Sequence, residues 1–125
     1  MRRISLCMGI LMLGTGGLAA AQAPADGQAL YQAKCGGCHS LDANRIGPAH
    51  RGVVGRRIAT APGYSFSPAI KKLAGIWTPA RLDSWLQNPQ KFAPGSKMYL
   101  MVPDADKRAL IIGYLASLSP SPPKR

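Results

Sequence analysis

Apolar residues recur at helical spacing in three parts of the chain, and each part begins at a residue typical of a helix start. In the first part, Asp26 can cap a helix that begins at Gly27, and Leu30 and Tyr31 follow the cap at helical spacing. The pattern runs without a break to Cys35. We therefore predict a first helix that leads directly into a cysteine-containing segment.

A second helix is predicted to begin at Thr78, because Thr is a favourable N-cap and Pro79 fits the first helical position. The residues that share its apolar face are Leu82, Trp85 and Leu86. Pro89 lacks an N–H and ends the pattern. The segment is long enough for only two to three helical turns.

A third helix is predicted to begin after Asp104, another favourable cap. Its apolar face comprises Leu110, Ile111, Tyr114, Leu115 and Leu118. Residues 119–125 are rich in Pro and basic residues, and we expect them to form a flexible tail.

Gly and Pro interrupt the rest of the chain so often that no long element fits residues 40–77. We expect ordered loop there, with one helical turn near Pro68 to Leu73, and a tight turn at Pro94-Gly95. The pattern therefore predicts an all-α fold of three to five short helices joined by ordered loops.

The N-terminus has the three parts of an export signal. Met1-Arg2-Arg3 is basic, Ile4 to Leu18 is apolar, and Ala19 to Ala21 supplies small residues for cleavage. We predict a signal peptide over residues 1–21, a single mature domain over residues 22–125 and a periplasmic location. A cut after Ala23 is one alternative. An uncleaved anchor is the other, because Ile4 to Ala21 has 18 residues and a membrane span needs roughly 17 to 25.

The chain is strongly basic, with 16 Lys and Arg against five acidic residues in 125 positions. Removing Arg2 and Arg3 with the signal leaves a net charge of +9. The short length and high Gly and Pro content exclude a multidomain enzyme, a coiled coil and a polytopic membrane protein. Since export separates the chain from nucleic acid, the charge indicates acidic protein partners.

Cys35-Gly36-Gly37-Cys38-His39 is the C-x-x-C-H pattern of covalent c-type haem attachment. Two thiols three residues apart can reach the two vinyl groups of one porphyrin, and the imidazole that follows can approach the iron. A redox-active cysteine pair is one alternative, but it normally belongs to a strand-rich fold. The other alternative is a zinc site that adds His50 to these three side chains.

A haem iron with one His needs a sixth ligand or an open position. The mature chain offers Met98, Met101 and His50. Met98 follows Pro94-Gly95 in an extended segment that can cross the far face, whereas the Gly-rich surroundings of His50 favour a surface position. Met98 is therefore the favoured ligand, with the other two as alternatives.

The chain resembles the class I c-type cytochromes, in particular mitochondrial cytochrome c and its bacterial periplasmic relatives. Beside the C-x-x-C-H pattern, the matching motifs are Gly27 with Tyr31, Gly47-Pro48, Gly55-Arg56, Ala61-Pro62-Gly63-Tyr64, Trp77, Asn88-Pro89, Pro94-Gly95-Ser96-Lys97-Met98, and Arg108 with Tyr114-Leu115.

The resemblance implies a small fold wrapped round one covalent haem c, with thioether bonds at Cys35 and Cys38. It implies axial ligation by His39 and Met98, and a hydrogen bond from the His39 ring to the Pro48 carbonyl. It further implies that Arg56 and Trp77 contact a haem propionate. Gly27, Tyr31 and Tyr114 would lie where the first and last helices cross.

Three residues depart from the family pattern: Trp85 and Phe66 stand where tyrosines are usual, and Ile70 where a polar Asn is usual. Each change makes the pocket drier and less hydrogen-bonded, which disfavours the extra positive charge of ferric haem and raises the reduction potential.

The expected function is that of a monomeric periplasmic electron carrier and not an enzyme, because two axial ligands leave the iron no vacancy for a substrate. Its partners would be acidic faces of a quinol–cytochrome c oxidoreductase, a terminal oxidase or a dehydrogenase, with no nucleic acid and no stable membrane insertion. The basic residues that could ring the haem edge are Lys34, Arg45, Lys71, Lys72, Lys91 and Lys97. The alternatives are a cytochrome subunit of a periplasmic sulfite or alcohol dehydrogenase and, further, a haem peroxidase or gas sensor.

Overall fold

The computed structural model describes residues 19–120, with side chains from residue 24 onwards. This part of the chain contains α1 (Ala19–Lys34), α2 (Pro68–Lys71), α3 (Pro79–Gln87), α4 (Pro89–Phe92) and α5 (Ala105–Ser117). The only strand-like pairing within it is a single antiparallel bridge between Arg57 and Ile76. The all-α prediction is confirmed.

Most of the predicted signal peptide (residues 1–18) and the end of the predicted tail (residues 121–125) lie outside the described residues. None of the helices between residues 19 and 120 is long and apolar enough to cross a membrane. The first residue of the predicted tail, Ser119, lies just beyond α5 and is tied to its last turn, because its N–H donates to the Ala116 carbonyl at 3.1 Å.

The first helix begins at Ala19, eight residues earlier than predicted, so Asp26 lies within it and is not its cap. Ala is the strongest helix former, and the Ala-rich sequence before Asp26 carries the helix back past Pro24. The part of α1 that packs against the core nevertheless begins at Gly27, which is buried.

Helices α1 and α5 cross at Gly27. A Cβ on this residue would stand 2.9 Å from the Cβ of Tyr114 and closer still to the Leu110 carbonyl oxygen, so only glycine fits. One turn later, the rings of Tyr31 and Tyr114 lie 5.6 Å apart. This crossing fixes the end of α1 that leads into the C-x-x-C-H segment.

Helix α5 begins as predicted, with the Asp104 carboxylate accepting hydrogen bonds from the N–H groups of Asp106 and Lys107. Its buried residues are Arg108, Ile111, Ile112 and Leu115. Leu110 and Leu118 of the predicted face are only half-buried. Because α5 packs against both α1 and α3, its buried arc is wider than a single stripe and includes Ile112.

A single residue joins α3 to α4. The Thr78 hydroxyl caps α3 by accepting from the Arg81 N–H, as predicted. Asn88 then ends α3, and its side-chain oxygen accepts from the Lys91 N–H to start α4. The short helix α4 was not predicted, because Pro89 was taken only as a stop, whereas proline also suits the first position of a new helix.

Candidate functional site

The helices and the long loop enclose one large cavity of about 440 Å³, a size typical of cofactor sites, which span roughly 300 to 1,000 Å³. The apolar side chains of its inner wall include Val53, Ile70, Leu82, Leu86, Ile111 and Leu115. Ile46, Tyr99 and Leu100 also line the cavity while 73%, 74% and 42% exposed, so it opens to the surface beside them.

Cys35, Cys38 and His39 form part of the cavity wall. The backbone N–H of Cys35 donates to the Tyr31 carbonyl at 2.8 Å, and that of His39 donates to the Cys35 carbonyl at 2.8 Å. The helical bonding of α1 therefore continues past Lys34 into the motif. This continuation brings both cysteines and the histidine to one side of the cavity.

Both cysteines are free thiols, with Cys35 buried and Cys38 exposed. Burial, followed by the neighbouring Cys38, raises the pKa of the Cys35 thiol to about 11. Redox-active cysteine pairs show the opposite shift, because the thiolate is their nucleophile. The pKa of Cys35 therefore argues against the redox-pair alternative.

The His39 ring is held in one orientation. Its Nδ1 lies 2.9 Å from the Pro48 carbonyl oxygen, which can only accept, so Nδ1 carries the proton. Burial lowers the pKa of His39, which keeps the ring neutral. Nε2 is thereby left unprotonated, the state in which imidazole binds a metal.

The exposed side chain of Arg45 forms hydrogen bonds to the backbone of the C-x-x-C-H motif. Its guanidinium donates to the carbonyls of Gly36, of Gly37 at 3.4 Å and of His39 at 3.3 Å. The sequence predicted this residue only as one charge in a basic ring. The spacing between Arg45 and the motif does not predict that the loop folds back and brings the guanidinium to the motif carbonyls.

His50 does not take the surface position that its Gly-rich surroundings favoured. It lines the cavity, and its ring stacks on that of His39 with centroids 3.9 Å apart. Its Nδ1 forms a hydrogen bond with the Tyr31 hydroxyl at 3.1 Å. Burial, followed by His39 and Arg56, lowers the pKa of His50 to about 3, so the ring is neutral.

Met98 lies in the cavity wall and packs against the apolar core. Met101 is 54% exposed and does not line the cavity. The structure therefore separates the two methionines that the sequence left as alternatives. Only Met98 shares the cavity with His39.

Arg56 and Trp77, the two residues that the resemblance places near a propionate, both line the cavity. Their backbones are linked, because the Trp77 N–H donates to the Arg56 carbonyl at 2.9 Å. The Arg56 guanidinium donates to the Ala49 carbonyl at 2.9 Å, and burial lowers its pKa. A cation is thus held at the wall of a mostly apolar cavity.

The three departures from the family pattern, Phe66, Ile70 and Trp85, all line the same cavity. Two hydroxyl groups of the cavity wall, those of Tyr64 and Ser67, already form hydrogen bonds. The Tyr64 hydroxyl donates to the Ile46 carbonyl at 2.8 Å, and the Ser67 hydroxyl accepts from the Ile70 N–H. This part of the wall offers few free polar groups.

The residues present fit a covalently attached porphyrin. An apolar cavity suits the macrocycle, two free thiols lie at its wall, and a neutral imidazole with a free Nε2 can serve as an iron ligand. The zinc alternative fails, because no three His, Cys, Asp or Glu side chains converge as metal ligands in the part of the chain that has described side chains.

Comparison with known proteins agrees with this fit. The family model described as cytochrome c matches residues 24–119. The cytochrome c2 of Rhodopila globiformis is 43% identical over 98 residues, which are 76% of this chain and 92% of that protein. The c-type cytochrome cy of Rhodobacter capsulatus is 42% identical over 94 residues, 74% of this chain but only 47% of that protein.

A solved structure gives the same result in three dimensions. Cytochrome cH from Methylobacterium extorquens superposes with a TM-score of 0.71 at 40% identity, covering 75% of this chain and 97% of that one. The chain therefore belongs to the cytochrome c family, as a class I c-type cytochrome that carries one covalently attached haem c and acts as an electron carrier and not as an enzyme.

Proposed function

We propose that Cys35 and Cys38 hold the haem through two thioether bonds and that His39 and Met98 are its axial ligands. The observation that carries this assignment is that His39, with Nε2 free, and Met98 line the same cavity as the two free thiols. His50 is a poorer sixth ligand, because its ring is stacked on that of His39 and therefore lies on the same side of the cavity.

Two protein ligands leave no open coordination position for a substrate, so the site supports only the gain and loss of one electron. A thioether ligand favours the ferrous state and gives a positive reduction potential. Phe66, Ile70 and Trp85 favour the same state by keeping this part of the pocket dry. The protein is thereby suited to passing electrons to an oxidase or another high-potential acceptor.

The role of Arg56 and Trp77 in this account is to hold a propionate. Arg56 supplies a cation at the cavity wall, and the bond from the Trp77 N–H to the Arg56 carbonyl keeps the two residues together. The charge of Arg56 offsets that of a buried carboxylate, which would otherwise be costly to remove from water.

The mature protein functions in the periplasm, after removal of residues 1–21. The basic N-terminus, apolar segment and small residues at Ala19 to Ala21 support export. Periplasmic location agrees with the C-x-x-C-H pattern and places the protein between quinol-oxidising and electron-accepting complexes.

Docking takes place at the cavity mouth. Ile46, Tyr99 and Leu100 are exposed there, and Lys34 and Lys97 line the same cavity. An apolar centre beside positive charge fits a partner with an acidic rim, and a net charge of +9 steers the encounter. Lys72 lies instead on a separate hollow with Pro68 and Phe92.

The ligand assignment is tested with Met98→Ala and its matched control Met101→Ala, both exported and loaded with haem. In the ferric protein, thioether ligation produces a weak long-wavelength absorbance band. We expect Met98→Ala to abolish the band and Met101→Ala to retain it. Retention in Met98→Ala would refute the assignment.

The docking surface is tested with Lys34→Gln against Lys107→Gln, an exposed lysine of α5 that does not line the cavity. We expect only Lys34→Gln to slow reduction by an isolated quinol–cytochrome c oxidoreductase, by about two- to fivefold at low ionic strength, with the difference vanishing in high salt. Equal rates for the two variants at low salt would contradict the proposed surface.

A further inference from the structure

The side-chain amide of Gln90 bonds to the segment that contains Met98 at three residues. Its Nε2 donates to the Ser96 carbonyl at 2.8 Å and to the Met98 carbonyl at 2.8 Å. Its Oε1 accepts from the Gly95 N–H at 3.2 Å. One side chain thus connects α4 to the end of the Pro94-Gly95 turn and to Met98 itself.

These contacts use both N–H donors of a primary amide and one acceptor site of its oxygen. The two hydrogens of Nε2 serve two carbonyl groups, and the Ser96 hydroxyl lies 3.1 Å from the same nitrogen. The carbonyl oxygen of the amide meets an N–H. No other side chain of this length offers two donors and one acceptor in this geometry.

The backbone around Met98 has few other anchors. The Ser96 N–H donates to the Ala93 carbonyl at 3.0 Å, and the Val102 N–H donates to the Leu86 carbonyl at 2.8 Å. Between these two points, residues 97–101 form no backbone–backbone hydrogen bond with any part of the described chain. The Met98 carbonyl is tied to the protein through Gln90.

The base of this connection is rigid. Asn88 caps α4, and the Pro89 side chain directly before Gln90 is fully buried. Ser96, the central partner, is 2% exposed. Hydrogen bonds in such a protected place stabilise more than solvent-exposed ones, and a partner left unsatisfied there costs more.

We propose that Gln90 is a positioning residue that holds the backbone of Met98 against α4 and so keeps the methionine side of the haem pocket closed to external ligands. The inference rests on the proposed ligation by Met98. Opening the segment requires breaking the bonds from Gln90 to Ser96 and Met98, and this sets the rate at which Met98 leaves its place.

Two substitutions of Gln90 separate the parts of its amide, and a third variant serves as their control. Gln90→Leu removes all of the hydrogen bonds at similar volume. Gln90→Glu keeps an acceptor for the Gly95 N–H but sets a carboxylate oxygen against the carbonyls of Ser96 and Met98. Gln87→Leu is the matched control, because Gln87 is exposed at the end of α3 and its side chain forms no hydrogen bond with the described residues.

The experiment measures the rate at which imidazole binds to the ferric, haem-loaded protein, because this ligand must wait for Met98 to leave. We expect Gln90→Leu and Gln90→Glu to bind imidazole about ten- to a hundredfold faster than the wild type, which corresponds to about 1.4 to 2.7 kcal/mol. Gln87→Leu should match the wild type.

The global free energy of unfolding is measured on the same variants, since a merely structural role would lower it as much as it lowers the barrier to imidazole binding. We expect the barrier to fall by more than the global stability. Unchanged imidazole rates in both Gln90 variants, or an equal fall in global stability, would overturn the proposal.

A variant with Met98→Ala distinguishes failure of this inference from failure of the ligand assignment. If the wild type binds imidazole as fast as Met98→Ala, Met98 is not the ligand and both proposals fall. If the wild type is slow, Met98→Ala is fast and the Gln90 variants are slow, only the positioning role of Gln90 is refuted.

Discussion

Gly47 lies directly against the ring of His39. A Cβ on Gly47 would stand 2.5 Å from Nδ1 and 2.6 Å from Nε2, and nearer still to Cε1. The next residue, Pro48, accepts the hydrogen bond from the same ring. Gly47 and Pro48 together therefore fix where the His39 ring can lie.

Gly47→Ala should displace the His39 ring and break its hydrogen bond to Pro48. We expect a loss of about 2 kcal/mol or more in the free energy of unfolding, since overpacking typically costs about 1 to 3 kcal/mol. The covalent haem content of the exported protein should fall as well. Gly113→Ala is the control, because nothing lies within 4 Å of its Cβ position in α5 and alanine favours helix.

Ala59→Gly should stabilise the protein. Ala59 lines the cavity with φ at 61°, a left-handed conformation that disfavours any residue with a Cβ. Glycine adopts it freely, although it loses more entropy on folding, so we expect a net gain of about 0.5 to 1 kcal/mol. Denaturant unfolding of the two proteins measures this, and a loss of stability would contradict it.

Tyr31→Phe should change how stability depends on alkaline pH. Burial is the main cause that raises the pKa of the Tyr31 phenol from 10.0 to about 12. The unfolded chain therefore loses this proton first, so the stability that the neutral phenol supplies is complete below about pH 10 and is lost as the pH rises to about 12.

We expect Tyr31→Phe to flatten that loss, while near pH 7 it costs about 1 kcal/mol through the broken hydrogen bond to His50. Unfolding free energies across the alkaline range measure both effects. Tyr99→Phe, at a tyrosine that is 74% exposed, serves as the control and should follow the wild type. A parallel decline in wild type and Tyr31→Phe would refute the prediction.

Phe66→Tyr should lower the reduction potential. It returns a hydroxyl to the cavity wall near Ser67, and a polar group there stabilises the more positive ferric state. We expect a shift on the order of tens of millivolts, which for a one-electron couple is the size of one ordinary hydrogen bond of about 1 kcal/mol. Equilibrium redox titration measures it, and an unchanged or higher potential would show that dryness at this position does not set the potential.

Local rules of sequence predicted the caps of α3 and α5, because Thr78 and Asp104 bond to N–H groups only two or three residues away. They also predicted the helical turn after Ser67, since Pro68 suits its start. The predicted beginning of α1 was wrong, because the high helix propensity of the Ala-rich residues before Asp26 extends the helix past the expected cap.

The contacts that sequence did not predict join residues far apart in the chain. The stacking of His50 on His39 depends on how the loop folds back, and the bonds from Arg45 to the motif depend on the same loop. Gln90 reaches Ser96 and Met98 because α4 turns the chain, and α4 itself was missed. The spacing of residues along the sequence does not predict contacts that form only when the chain folds back on itself.

Carbon monoxide binding to the dithionite-reduced, haem-loaded protein, followed by absorbance, tests most directly whether both axial positions are filled. Met98→Ala provides the open-site reference. With His39 and Met98 as ligands, the wild type should bind little carbon monoxide, or bind it slowly, while Met98→Ala binds it fast. Rapid and complete binding by the wild type would show an open site, contradict the electron-carrier account and favour a haem enzyme or gas sensor.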